Sequence, residues 1–85
     1  MSITKTAETI QKGDIFCSEY GDYDNWCNFV FVSCEPDGEN WTKINVHNVG
    51  DDKVYSIYDG RNINKVTFEV VGKILLDESV KMNII

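Results

Sequence analysis

Apolar and polar residues alternate with a period of two through most of this chain, the pattern of half-buried strands rather than of helices. Asp14 to Tyr20 reads as a first strand, entered through the turn Lys12-Gly13-Asp14. Cys27 to Cys34 reads as a second, apolar on both faces, which predicts the most central position in a sheet. Glu35-Pro36-Asp37-Gly38-Glu39 is a turn, because Pro presets one corner and Gly accepts positive φ at the next. Trp41 to Val49 then alternates, with Ile44 and Val46 inward and Lys43, Asn45 and His47 outward. After Gly50-Asp51-Asp52 comes a strand from Lys53 to Tyr58, and Asp59-Gly60 predicts a hairpin into Ile63 to Val71. That strand carries Val66, Phe68 and Val70 on one face, and Gly72 marks a bulge or bend within it. Val80 to Ile84 alternates strictly and reads as a last strand. Only Ile3, Ala7 and Ile10 keep a helical spacing, enough for one or two turns at the N-terminus.

Five or six short strands with tight turns define an all-β fold. Two forms fit: a small antiparallel barrel of the SH3-like kind, which removes exposed edges, or a strongly bent open sheet. The length, 85 residues, is that of a single domain spanning 1–85. No run of apolar residues is long enough for a membrane helix. The stretch from Met1 to Lys12 lacks the apolar centre of a secretory signal, which points to the cytoplasm and to reduced cysteines.

Charge narrows the choice of partner. Eight Lys and Arg against fourteen Asp and Glu leave a net of −6, which opposes binding to a phosphate backbone. Enzyme signatures are missing: no Gly-rich phosphate loop, no G-x-S-x-G and no H-E-x-x-H. A single histidine, His47, would have to serve any general base, and its strand parity reads as an exposed surface position. Cys17, Cys27, Cys34 and His47 make up the ligand types of a zinc site. Structural zinc favours close Cys pairs, whereas the gaps here are long, so ordinary core cysteines are expected and no metal or cofactor. Their odd number also argues against a disulfide.

The densest segment is Glu19 to Trp26, where Tyr20, Tyr23 and Trp26 are interleaved with Glu19, Asp22 and Asp24. Aromatics with polar handles suit interface anchors, and carboxylates around them would select a cationic partner. The competing reading has the aromatics closing one end of a barrel while the acids stay solvated. Glu35, Asp37 and Glu39, then Asp51 and Asp52, then Asp59 fall in turns and would form one negative rim if those turns converge. The candidate partner-binding set is therefore Tyr20, Asp22, Tyr23, Asp24, Trp26, Glu35, Asp37 and Glu39, with no catalytic residue.

The stretches Gly13-Asp14-Ile15-Phe16, Ser18-Glu19-Tyr20-Gly21, Tyr23-Asp24 and Phe29-Val30-Phe31-Val32 together resemble small bacteriophage proteins. The N-terminal half of those proteins opens with G-D-I/L, then S-x-x-G-Y and an aromatic strand; here Asp22 is inserted after Gly21. The resemblance implies a phage or mobile-element origin and no particular activity. Acidic phage proteins of this size often bind and block a host protein, inhibitors of restriction or CRISPR nucleases among them. The leading expectation is thus a non-enzymatic inhibitor that meets the basic surface of a bacterial defence or nucleic-acid-handling protein. The alternatives are a nucleic-acid or nucleotide-binding barrel stacking bases on Tyr20, Tyr23, Trp26 and Trp41, with Lys43, Lys53, Arg61 and Lys65 as its basic strip, a small ribonuclease using His47 and Arg61, or a phage assembly component dimerising through the Val80-Met82-Ile84 strand.

Overall fold

The computed structural model describes residues 3–18 and 26–75. They form six antiparallel strands: β1 (Ile3–Thr6), β2 (Asp14–Ser18), β3 (Trp26–Pro36), β4 (Thr42–Asn48), β5 (Lys53–Asp59) and β6 (Thr67–Lys73). All belong to one sheet in the order β1-β6-β2-β3-β4-β5. Of the two all-β forms, the bent open sheet is the one adopted, with β1 and β5 at its edges among the described residues. The doubly apolar strand is indeed central, since β3 lies between β2 and β4.

Bulges bend the sheet. Ile15 faces Gly72 while Phe16 faces Val70, so Val71 is the extra residue beside the glycine. Val32 is a second, between Phe31 opposite Val46 and Ser33 opposite Asn45. A third register shift separates Phe16 opposite Phe29 from Ser18 opposite Trp26, and there Asn28 takes a left-handed φ of 64°. Asparagine tolerates this region better than most residues.

The curl brings Phe16, Phe31, Ile44, Val46, Ile57, Phe68 and Val70 into one core with Ile10 and Val66 from the connections. Phe68 sits at its centre, edge-on to Phe16 at 5.0 Å and to Phe31 at 5.6 Å between ring centroids. The expected inward face of Val66, Phe68 and Val70 is correct, all three being buried.

Three expectations are corrected. The N-terminal residues form strand β1 and a turn rather than helix, because Ile3 to Thr6 pair with β6 from Val70 to Thr67. Asp59-Gly60 does not open a hairpin: β5 pairs with β4, whereas β6 pairs with β1 and β2. The chain crosses instead, held by Arg61, whose Nε and Nη2 donate to the buried Asp59 carboxylate at 2.9 and 2.8 Å. The same guanidinium donates to Thr67 Oγ1 and to the Thr67 carbonyl, both at 3.0 Å, so it fixes where β6 begins. His47 and Asn45 lie on the face opposite Ile44 and Val46 as parity requires, yet both are buried. Buried Val30 and Val54 face His47 from the neighbouring strands, while Asn45 is hydrogen-bonded to Ser33 and Ser56 at 2.9 and 2.8 Å.

Gly13-Asp14 proves to be an anchor. Gly13 adopts φ 97°, its N–H donates to Phe31 O and its carbonyl accepts from Ile74 N, both at 2.8 Å. A Cβ at Gly13 would collide with the Ile74 carbonyl oxygen, so a side chain is excluded there. Asp14, 1% exposed, accepts from Lys5 Nζ at 3.0 Å and Gln11 N–H at 2.9 Å, with Lys73 Nζ 3.8 Å away. Burial pushes its carboxyl up, but the Gln11 N–H and the two ammonium groups outweigh burial and hold it below the usual 3.8. Stability from this group is therefore complete above that ordinary value and drains as pH falls through the lower folded one. Urea midpoints of wild type and Asp14→Asn measured across acid pH are expected to converge as pH drops. A gap independent of pH would show that the contribution of Asp14 is not ionic.

Candidate functional site

The end of the sheet at the β3–β4 turn carries the most distinctive exposed surface. The Asp37 N–H donates to Trp41 O at 2.9 Å to close this turn, and Gly38 takes the expected positive φ, 79°. The outward parity of β4 puts Trp41 on the face of Lys43, beyond the pair formed by Thr42 and Asp59. Trp41 remains 42% exposed although its ring lies against Gly60, where a Cβ would be 3.6 Å from Cη2 and Cζ3. A backbone without a side chain gives an aromatic ring a seat on the neighbouring strand. Asn62 Nδ2 donates to the Glu39 carbonyl at 2.8 Å and ties the turn to the crossing segment.

Around Trp41 the carboxylates of Glu35, Asp37 and Glu39 are all exposed. Lys43 approaches Glu35 at 3.7 Å and faces half-buried Tyr58 across the strands. The outer face here is a tryptophan and a tyrosine edged by acids, on a turn held by the Asp37–Trp41 and Asn62–Glu39 hydrogen bonds. Such a surface can cover apolar area and accept hydrogen bonds from cationic side chains at low entropic cost.

The structure brings Glu35, Asp37 and Glu39 together, but not with the other acids. Asp51 and Asp52 sit in the β4–β5 turn at the far end of β4, roughly 20 Å away for a strand of this length. Asp59 is withdrawn from any rim, being fully buried against Arg61. Tyr20, Asp22, Tyr23 and Asp24 lie outside the described residues, as do the side chain of Trp26 and the Val80–Ile84 strand. The backbone ends that flank residues 19–25, Ser18 and Trp26, lie towards the β4–β5 turn, since Val30 pairs with His47. The exposed aromatic beside Glu35, Asp37 and Glu39 is thus Trp41, which the sequence placed only among stacking aromatics. Its cue was position: directly after a Pro-Asp-Gly turn, and on the outward parity of the following strand.

The β4–β5 end holds a groove of about 500 Å³ lined by Phe29, Val46, Asn48, Tyr55 and Ile57 among others. His47 Nε2 meets Asp52 Oδ1 at 2.8 Å, while His47 Nδ1 is buried with no hydrogen-bond partner among the described residues. Tyr55 OH donates to Asp51, a bond that draws the Asp51 carboxyl down and raises the tyrosine. Cys34 and His47 cannot share a metal, because Cys34 packs against the core and His47 lies on the opposite face. Burial, then the neighbouring Glu35 carboxylate, raises the Cys34 thiol and keeps it protonated. Of the expected basic strip, Arg61 is engaged with Asp59 and Lys43 with Glu35.

No protein-family model, no curated protein and no solved structure matches this chain.

Proposed function

We propose that this protein is a non-enzymatic binding module that meets a basic protein surface through Trp41, Tyr58 and the carboxylates of Glu35, Asp37 and Glu39. The observation that carries the reading is a large aromatic left exposed on a fixed seat, with acids on its border. Burial of Trp41 by a partner would supply affinity, and the acids would steer approach and choose cationic side chains. Together with the resemblance of the N-terminal half to phage proteins, this favours an inhibitor that occludes a nucleic-acid-handling protein of the host cytoplasm. A protein whose own ligand is a polyanion presents the complementary charge.

The test is capture from a nuclease-treated bacterial lysate followed by titration of the purified partner. Trp41→Ala is expected to weaken binding by about 30-fold or more. The Glu35→Lys, Asp37→Lys, Glu39→Lys triple variant is expected to slow association and flatten its salt dependence while the melting curve stays close to wild type. A partner that binds both variants as tightly as wild type would remove this surface from the reading.

A further inference from the structure

Strand β5 is an edge of a kind that natural sheets usually protect. Among the described residues it pairs only with β4, through seven consecutive partners from Thr42–Asp59 to Asn48–Lys53 without a register shift. Proline is absent from Lys53-Val54-Tyr55-Ser56-Ile57-Tyr58-Asp59, and its one Lys stands at the end. The other edge, β1, has only four residues and a central Lys5. A short edge is a poor template, whereas a long, regular one offers a ladder of backbone donors and acceptors.

We propose that β5 pairs antiparallel with β5 of a second copy, centred on Ser56, to give a two-fold symmetric dimer with one continuous sheet. The sequence of the strand is self-complementary about that residue. Tyr55 would face Ile57 of the other copy on one side of the sheet, and Tyr58 would face Val54 on the other. Tyr55 is 37% exposed and Tyr58 half-buried, so each has ring surface left to cover, and each meets a buried aliphatic residue. At the ends Lys53 falls opposite Asp59, whose buried carboxylate is already held by Arg61, so the ends add no charge pair. A shift of one residue in either direction would lose these matches, because it puts every side chain opposite one from the other face. An edge contact of one strand belongs to the small class of interfaces, so association in the micromolar range is expected.

Light scattering behind gel filtration from micromolar to millimolar concentration tests this on the wild-type chain, with hydrogen exchange as its local readout. Dimer formation with β5 amides gaining protection as concentration rises supports the proposal. A monomer throughout, with β5 protection independent of concentration, overturns it. Ser56→Cys tests the register: directly opposed residues are within reach of a disulfide, and mild oxidation should link the introduced thiol to its counterpart in the second copy, identified by peptide mass. A cross-link only through native cysteines overturns the register. Ser56→Lys, which sets two ammonium groups against each other, should weaken the dimer by roughly tenfold or more, whereas Ser56→Thr, which keeps the hydroxyl near Asn45, should not.

Discussion

Phe68→Ala is expected to cost about 3–5 kcal/mol, the range for deleting a fully buried ring. Phe68 has no exposed surface and meets both Phe16 and Phe31 edge-on, so its removal empties the point where two halves of the bent sheet touch. Neighbouring rings on separate strands cannot all close over the gap without undoing the bulges that curve the sheet. For a domain of 85 residues, total stability is roughly 4–13 kcal/mol, so the variant should be poorly folded at room temperature or melt more than about 10 °C lower. Val71→Ala supplies the contrast. Its side chain is 47% exposed at the β6 bulge, and the expected change is within about 0.5 kcal/mol. Chemical denaturation of the two variants decides it, and equal losses would mean that the aromatic cluster is not the core of the fold.

Arg61→Ala is expected to cost a similar amount, about 3–5 kcal/mol, for a different reason. Asp59 is fully buried, and Arg61 meets its carboxylate with two hydrogen bonds while donating two more to Thr67. Removing the guanidinium leaves an anion without solvent or its forked partner and releases the segment that carries the chain from β5 to β6. The double variant Asp59→Leu, Arg61→Met should recover much of the loss, because buried pairs are often replaceable by apolar residues of similar volume. A double variant no better than Arg61→Ala would assign the effect to the Thr67 contacts rather than to the charge.

These two sites also show what the sequence makes readable. Alternation located β2 to β6, and the inward set of Val66, Phe68 and Val70 followed from parity alone. Parity also put His47 on the face away from Ile44, but that this face is buried at His47, Val30 and Val54 is not written in the alternation. Strand β1 was hidden because Ile3-Thr4-Lys5-Thr6 barely alternates and Ile3 is 62% exposed; pairing with β6 makes it a strand. Asp59-Gly60 carries a strong local hairpin signal that a tertiary contact overrides. Arg61, two residues on, holds the chain on its crossing path. As for the candidate surface, Glu35, Asp37 and Glu39 could be grouped from the sequence. That Trp41 stays exposed beside them required knowing that it lies over Gly60.

The placement of β6 between β1 and β2 has a consequence for how the chain acquires its structure. Strands β3, β4 and β5 pair in succession through short turns and can assemble as soon as they are made. The outer edge of β2 has no such neighbour, since its partner begins at Thr67 and Ile3 must wait for Val70. During synthesis that edge stays open while nearly fifty further residues emerge, so the meander forms early and the sheet is completed late. Stopped-flow refolding should therefore show the β3–β5 amides protected before those of β1 and β6, and nascent chains ending before β6 should be the species most prone to aggregate.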